Sequence, residues 1–278
     1  MVRTSRPELL REWIRWHQFL GVTRFVIHDN GSNPPLSQEL EGFEGLTLIR
    51  VAPVDQAQVL QLQNNCMKEA LGVMKQDKID WIALIDDDEF IFPRSHDGDL
   101  RTLLFDIQDA YPAYLMPWQM IGPCGQLTER RDRLTMETFL YGRLRRTVKT
   151  LTRVDALAQI HNHISEFHED LGPPMTGAGE VADYERMVGA DAISLKTTPR
   201  QGGWIELFHY RTRSLEFLQS KVDQVAVPQY YDWPRLVVEM TLYNQIERLS
   251  HETLSRENLL SRFLKSLDKN RERIYGRE

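Results

Sequence analysis

Leu10, Trp13, Ile14 and His17 recur at helical spacing near the start of the chain, with Pro7 in a first-turn position and Gly21 as a stop. Arg11 and Arg15 fall off that stripe, a basic amphipathic pattern that could lie on a membrane surface, but packing against a sheet is the expected use. The period then shortens. Thr23 to His28 is β-rich and apolar and runs into Asp29-Asn30-Gly31-Ser32-Asn33-Pro34-Pro35, a strand followed by a turn cluster. Leu46 to Val51 predicts a second strand, Gln56 to Met74 a helix, and Ile79 to Ile85 a third, buried strand. Asp99 to Ala110 reads as a helix capped by Asp99, and Ala113 to Trp118 and Val148 to Val154 read as strands. This alternation predicts an α/β fold, a mainly parallel sheet flanked by helices.

The later chain is less regular. Gly122 to Asp132 reads as a loop, and Leu171 to Gly189, rich in Gly and Pro, as a mobile loop or lid. Trp204 to Phe208 reads as a strand that delivers His209. From Ser214 onward the pattern is helical, and Leu260, Phe263, Leu264 and Leu267 form one stripe. The expected division is a domain over 1–211 and a helical C-terminal appendage over 212–278, packed on it.

The segment most charged with chemistry is Trp81-Ile82-Ala83-Leu84-Ile85-Asp86-Asp87-Asp88-Glu89-Phe90, an apolar strand that ends in four consecutive acids. Strand ends of open α/β sheets face the crevice where ligands bind. Four crowded carboxylates repel one another unless a cation or hydrogen-bond donors compensate. A divalent metal shared with phosphate oxygens is one explanation, and an inert solvated turn is the other. Asp29 ends an earlier strand, on the same edge if the sheet is parallel. It can accept hydrogen bonds from a ribose or base, or cap its own turn, for which Asp-Asn-Gly is suited.

His161 and His163 alternate, and on a strand they would share a face, but the spacing is a weak metal signature. The basic run Arg143 to Thr150 reads mostly as a solvated charge run. Lys149, set in an apolar alternation, is the residue suited to a diphosphate. No P-loop, nucleophile elbow or dinucleotide fingerprint occurs.

A net charge of −6 argues against a general nucleic-acid binder. Cys66 and Cys124 are too few for a disulfide framework or a zinc cluster and suit free thiols in a reducing compartment. With no apolar run of membrane-spanning length and no signal-peptide pattern, a cytoplasmic location with at most peripheral membrane contact is expected.

Four segments in order resemble the GT-A glycosyltransferases, and within them the family 2-like and family 92-like branch. They are Glu12-Trp13-Ile14-Arg15-Trp16-His17 with Leu20-Gly21-Val22; Phe25-Val26-Ile27-His28-Asp29-Asn30-Gly31-Ser32; Trp81 to Phe90; and His209-Tyr210 followed by Ser214, Phe217 and Lys221. The resemblance implies transfer of a hexose from a nucleotide-sugar donor, UDP-linked, to a carbohydrate or lipid-linked glycan acceptor. It implies Mn²⁺ or Mg²⁺ held by Asp86 and Asp88 as the D-x-D pair, with His209 as a further ligand. Asp29 would contact the uridine, and Asn30, Asp87 and Lys149 would join it in binding the donor. An inverting member needs a carboxylate base; Glu137, in Met136-Glu137-Thr138-Phe139, resembles the branch's E-R-F element, and Glu89 is the alternative.

The branch begins with a strand ending in an N-E pair, whereas here Met1-Val2-Arg3 leads directly to Thr4-Ser5-Arg6-Pro7. This implies either truncation at the start or a nucleotide pocket short of one wall, and in both cases an exposed sheet edge. Two rival functions fit the same residues. One is a metal-dependent phosphohydrolase of nucleotide or sugar phosphates, with water as acceptor; the other is a non-catalytic binding module on a degenerate transferase fold.

Overall fold

The aromatic stripe at the start of the chain forms helix α1 (Pro7–Phe19), which buries Leu10, Trp13, Ile14, Trp16 and His17. The computed structural model describes residues 6–52, 54, 58–130, 132–163, 165–186, 193–197, 203–224 and 253–267. Strand β1 (Phe25–Asp29) follows, then a short helix α2 (Leu36–Glu39) and strand β2 (Leu46–Arg50), parallel to β1 and paired with it. Helix α3 (Val59–Gln76) leads to β3 (Trp81–Ala83), and β4 (Glu89–Pro93) begins directly after the acids. The apolar pair Phe90-Ile91 is thus a strand in its own right.

Helix α4 (Leu100–Ile107) is capped as expected: the Asp99 side chain accepts the Arg101 and Thr102 N–H groups. Then come β5 (Ala113–Ile121), α5 (Thr135–Thr138) and the long β6 (Gly142–Arg153). Short strands β7 (Leu157–Gln159), β8 (Glu166–Phe167), β9 (Met175–Thr176), β10 (Glu180–Val181), β11 (Tyr184–Arg186) and β12 (Ile193–Leu195) precede β13 (Ile205–His209). Helices α6 (Leu215–Gln224) and α7 (Thr253–Leu267) complete the described chain. The rest of the expected helical appendage lies outside the described residues.

The expected mainly parallel sheet is corrected to a mixed one. Among the described residues the large sheet runs β10-β9-β5-β6-β12-β11, with β3 on β6 and with β13 joining β5 to β4. The β5–β6, β3–β6 and β4–β13 pairs are antiparallel, and β5–β13 and β5–β9 are parallel. The physical reason is β6. Its basic first half looked like a solvated run, but it continues the strand by alternation, and at twelve residues it pairs with both β5 and β3. The stretch 171–189 is corrected too: it contributes β9 and β10, and the Thr176 hydroxyl of β9 donates to the Leu115 carbonyl oxygen of β5 at 3.2 Å.

Helix α1 explains its own sequence. Strand β4 pairs with β13 on one edge, which leaves the peptide groups of its other edge to be satisfied. Three side chains of α1 do this. Trp13 Nε1 donates to the Glu89 carbonyl oxygen at 2.7 Å, Trp16 Nε1 donates to that of Ile91 at 2.8 Å, and His17 Nε2 accepts the Ile91 N–H at 3.2 Å. The other His17 nitrogen, Nδ1, lies 2.8 Å from the Trp13 carbonyl oxygen, so a neutral ring satisfies both contacts. Burial accordingly drives the His17 pKa down to about 4. Helix α7 joins the same core: Phe263 meets Trp16 edge-on with centroids 5.1 Å apart, and Leu259 and Leu267 are buried beside it. No described helix is long and apolar enough to cross a membrane.

Candidate active site

The acid run folds into a tight turn between β3 and β4. The Glu89 N–H donates to the Asp86 carbonyl oxygen at 3.0 Å, and the Asp86 N–H donates back to Glu89 Oε2 at 2.8 Å. This reciprocal closure puts Asp87 and Asp88 at the tip and sends the Glu89 side chain inward, where it is wholly buried. Strand β13 brings His209 opposite, because its antiparallel register with β4 pairs His209 with Glu89. The Tyr210 N–H donates to the Asp88 carbonyl oxygen at 2.8 Å and fixes the crossing.

Five ionisable side chains meet inside this frame. Lys149 Nζ, on β6 with no exposed surface, lies 3.3 Å from Asp86 Oδ2 and 3.6 Å from Glu89 Oε2. His209 Nε2 lies 3.3 Å from Asp88 Oδ1, and its Nδ1 lies 3.9 Å from Glu89 Oε1. Burial pushes the Glu89 carboxyl up to about 7 against the pull of Lys149. Burial opposes charge on Lys149 too, but Glu89 first and Asp86 second raise its pKa, and Lys149 in turn holds the Asp86 carboxyl down. Glu89 Oε1 and His209 Nδ1 are buried with no hydrogen-bond partner among the described residues.

The structure also gives Asn162, which sequence reasoning passed over, and His163 their places. Asn162 Oδ1 accepts from Lys149 Nζ at 2.9 Å, and His163 Nδ1 lies 3.1 Å from the Val148 carbonyl oxygen. His161 and His163 sit in a bend rather than on a strand, so the expected shared face is corrected; the bend instead carries Asn162 and His163 to Lys149. Burial and the Lys149 charge push the His163 pKa down. Trp118 stands where the β5–β6 register shifts, the position of a β-bulge that re-aims a side chain. Its ring meets His209 with centroids 4.5 Å apart and His163 at 5.6 Å. Only the bulge marks Trp118, and a bulge of this kind leaves no local signal in the sequence.

Other expected site residues are engaged elsewhere. Asp29 Oδ1 accepts the Ser32 N–H at 2.8 Å and its Oδ2 the Leu36 N–H at 3.4 Å, and Asn30 Nδ2 donates to the Ala52 carbonyl oxygen at 3.1 Å. Both residues therefore hold the loop after β1, the turn-capping role its sequence allowed. Glu137 Oε2 accepts the Leu134 N–H at 2.8 Å and closes the first turn of α5. Beside it, the buried Glu12 accepts the N–H and hydroxyl of Thr135 at 2.8 and 3.0 Å, and burial raises its pKa to about 7.

Among the described residues no group of three or more His, Cys, Asp or Glu side chains is spaced to hold a metal ion. Asp88 and His209 do converge, and Asp86, with a side chain 57% exposed, stands at the mouth. A carboxylate–imidazole pair suits a cation that completes its shell from phosphate oxygens and water.

The sequence profile of glycosyltransferase family 92 matches residues 5–181, from the start of α1 through β10 and so across the acid turn and Lys149. The chain belongs to glycosyltransferase family 92. A glycosyltransferase family 92 protein of Arabidopsis thaliana is 32% identical over 95 residues, which are 33% of this chain and 16% of that protein. The match thus spans about a sixth of that relative's length.

Proposed function

We propose that this family 92 chain is a metal-dependent hexosyltransferase of GT-A type, using a UDP-linked sugar and a glycan or other hydroxyl acceptor, with inversion. The observation that carries the reading is the pairing of Asp88 with His209, 3.3 Å apart at the mouth of a turn whose remaining charge is balanced by Lys149. Asp88 and His209 would hold Mn²⁺ or Mg²⁺, with Asp86 at the mouth and phosphate oxygens and water completing the shell, and the ion would supply charge stabilisation to a departing diphosphate. The protein's own groups prepare that site. Lys149 holds Asp86 ionised, Glu89 keeps the turn closed through the Asp86 N–H, and the two indoles of α1 lock β4 in place. Asp87 and Lys149 would serve the diphosphate, and Asp29 and Asn30 the uridine. A cytoplasmic location goes with this reading.

The proton of the acceptor hydroxyl is assigned to Glu137. Glu89 has no exposed surface and is committed to Lys149 and the Asp86 amide, whereas Glu137 is half-buried and commits Oε2 alone to its turn. Glu137→Gln keeps an oxygen for the Leu134 N–H, so the variant stays folded. Its turnover is expected to fall about 100-fold or more, the scale of a lost general base, with donor affinity unchanged. A variant that turns over normally removes Glu137 from the chemistry.

Calorimetric titration of UDP into the purified protein, with Mn²⁺ and then with EDTA, tests the whole reading. Binding only with the metal supports it. Binding in neither condition leaves the non-catalytic module, and UDP-sugar breakdown at equal rate with and without acceptors supports the hydrolase.

A further inference from the structure

The buried face of α1 carries one acid, Glu12. Taking a carboxylate out of water is costly unless hydrogen bonds or an opposite charge offset it. The groups that offset it here all lie outside α1. Glu12 Oε1 accepts the Thr135 N–H and Oε2 accepts the Thr135 hydroxyl, from a residue 123 positions along the chain. Of the charged side chains packed around it, Arg213, itself buried, attracts it and Glu137 repels it.

Thr135 opens α5, the short helix that carries Glu137. A helix of this length does not sustain itself, because its first turn fixes several dihedrals for one hydrogen bond. Its leading amides also have no partner within the helix. Two carboxylates serve them. Glu137 Oε2 takes the Leu134 N–H, a bond that travels with the turn, whereas Glu12 ties the Thr135 N–H to the body of the protein. With one oxygen of Glu137 committed to its own turn, the direction of the other is set by where that turn sits.

Helix α1 holds the acid turn as well. Trp13, the next residue, donates through Nε1 to the Glu89 carbonyl oxygen. Successive helical residues point about 100° apart, so adjacent positions reach two different elements, α5 and β4. A second path closes the frame. The Phe139 ring, just after α5, lies 6.4 Å from that of Tyr210, whose N–H holds the Asp88 carbonyl oxygen. Glu137 and the acid turn are thus braced against the same two supports.

We propose that Glu12 is a positioning residue: it fixes the first turn of α5, and so the direction in which Glu137 presents its free oxygen to the acceptor hydroxyl. The inference rests on the assignment of Glu137 as the base. A base must come within hydrogen-bond reach of the proton it takes, so placement precedes basicity. What Glu12 supplies is two bonds rather than a charge. A Gln side chain can make both, accepting the Thr135 N–H with its oxygen and donating to the hydroxyl with its nitrogen.

The test compares Glu12→Ala and Glu12→Gln in the parent and in a Glu137→Gln background. Glu12→Ala removes both bonds, while the buried Leu134, Met136 and Phe139 keep the segment docked. Turnover is expected to fall about 10–100-fold, the scale of a small misplacement of a reacting group, with UDP affinity in Mn²⁺ unchanged. Glu12→Gln should restore most of it. In the Glu137→Gln background Glu12→Ala should slow turnover no further, because the group it positions is already gone. An equal fall in both backgrounds, no fall in the parent, or a Gln variant as slow as the Ala one would overturn the proposal. Where the guanidinium left behind unfolds Glu12→Ala, adding Arg213→Met removes that charge.

Amide exchange at Glu137, Thr138 and Phe139 needs no substrate and gives a separate readout. Their N–H groups bond to the Leu134 and Thr135 carbonyl oxygens, and exchange there is expected to quicken about tenfold or more in Glu12→Ala. Unchanged exchange at all three overturns the proposal whatever the turnover. Absence of transfer in the parent itself would be the failure of the function proposed above, and the exchange would still decide whether Glu12 holds α5.

Discussion

Asp88→Asn is expected to abolish metal-dependent binding of UDP while leaving the protein folded. The argument starts from position. Asp88 lies at the tip of a turn closed by the Asp86–Glu89 hydrogen bonds, and its backbone, not its side chain, receives the Tyr210 N–H. The substitution is isosteric and leaves that frame in place. It replaces the carboxylate that faces His209 at 3.3 Å with a neutral amide, a poor partner for a divalent ion. Loss of one direct ligand exceeds the effect of losing a supporting contact, which costs about 10–100-fold, so UDP affinity with Mn²⁺ should fall at least about 100-fold. A calorimetric titration of the variant beside the parent decides it. Unchanged affinity, with an unchanged melting curve, would sink the assignment of the metal to this turn.

Lys149→Met is expected to destabilise the protein strongly, and increasingly so as the pH rises. Lys149 is the cation buried against Glu89 and Asp86, with no exposed surface of its own. Removing one partner of a buried pair costs about 3–5 kcal/mol because the other charge stays behind. Glu89 can escape that cost by taking a proton, and this sets the pH dependence.

Its folded-state pKa of about 7 lies above the ordinary 4.5, so its contribution to stability is fully present below about pH 4.5 and is lost as the pH rises through 7. Without Lys149 the folded value rises further, and the loss continues into the alkaline range where the parent has levelled off. Urea unfolding without added metal should therefore show a loss that is larger at pH 8 than at pH 5 by up to about 1.4 kcal/mol, the most that one pH unit above the parent's pKa of about 7 allows. Combining Lys149→Met with Glu89→Gln removes both charges and should recover much of that loss at pH 8. An equal effect at both pH values would mean that lost packing, not charge, carries the cost.

Much of this arrangement is legible in the amino-acid sequence. The stripe of α1, the strand feeding the acids, the Asp99 cap, the delivery of His209 and the retention of Lys149 all follow from local periodicity and from the cost of placing a charge in an apolar context. Other features are invisible to such rules because they depend on pairing. The Glu12-to-His17 segment looks like a simple amphipathic helix until β4 is seen to need Trp13, Trp16 and His17 for its open edge. Asp29 could serve its own turn or a ligand, and only the hydrogen bonds to Ser32 and Leu36 show that the turn engages both oxygens.

By itself, the sequence determined most of which residues would be helix, which would be strand, and where charge would concentrate, since spacing and burial cost act within a few residues. The tertiary structure alone decided that the sheet is mixed and that Asn162 and Trp118 join the site. Strand partners are chosen over long sequence separations, by which edges remain unsatisfied once every local element has formed.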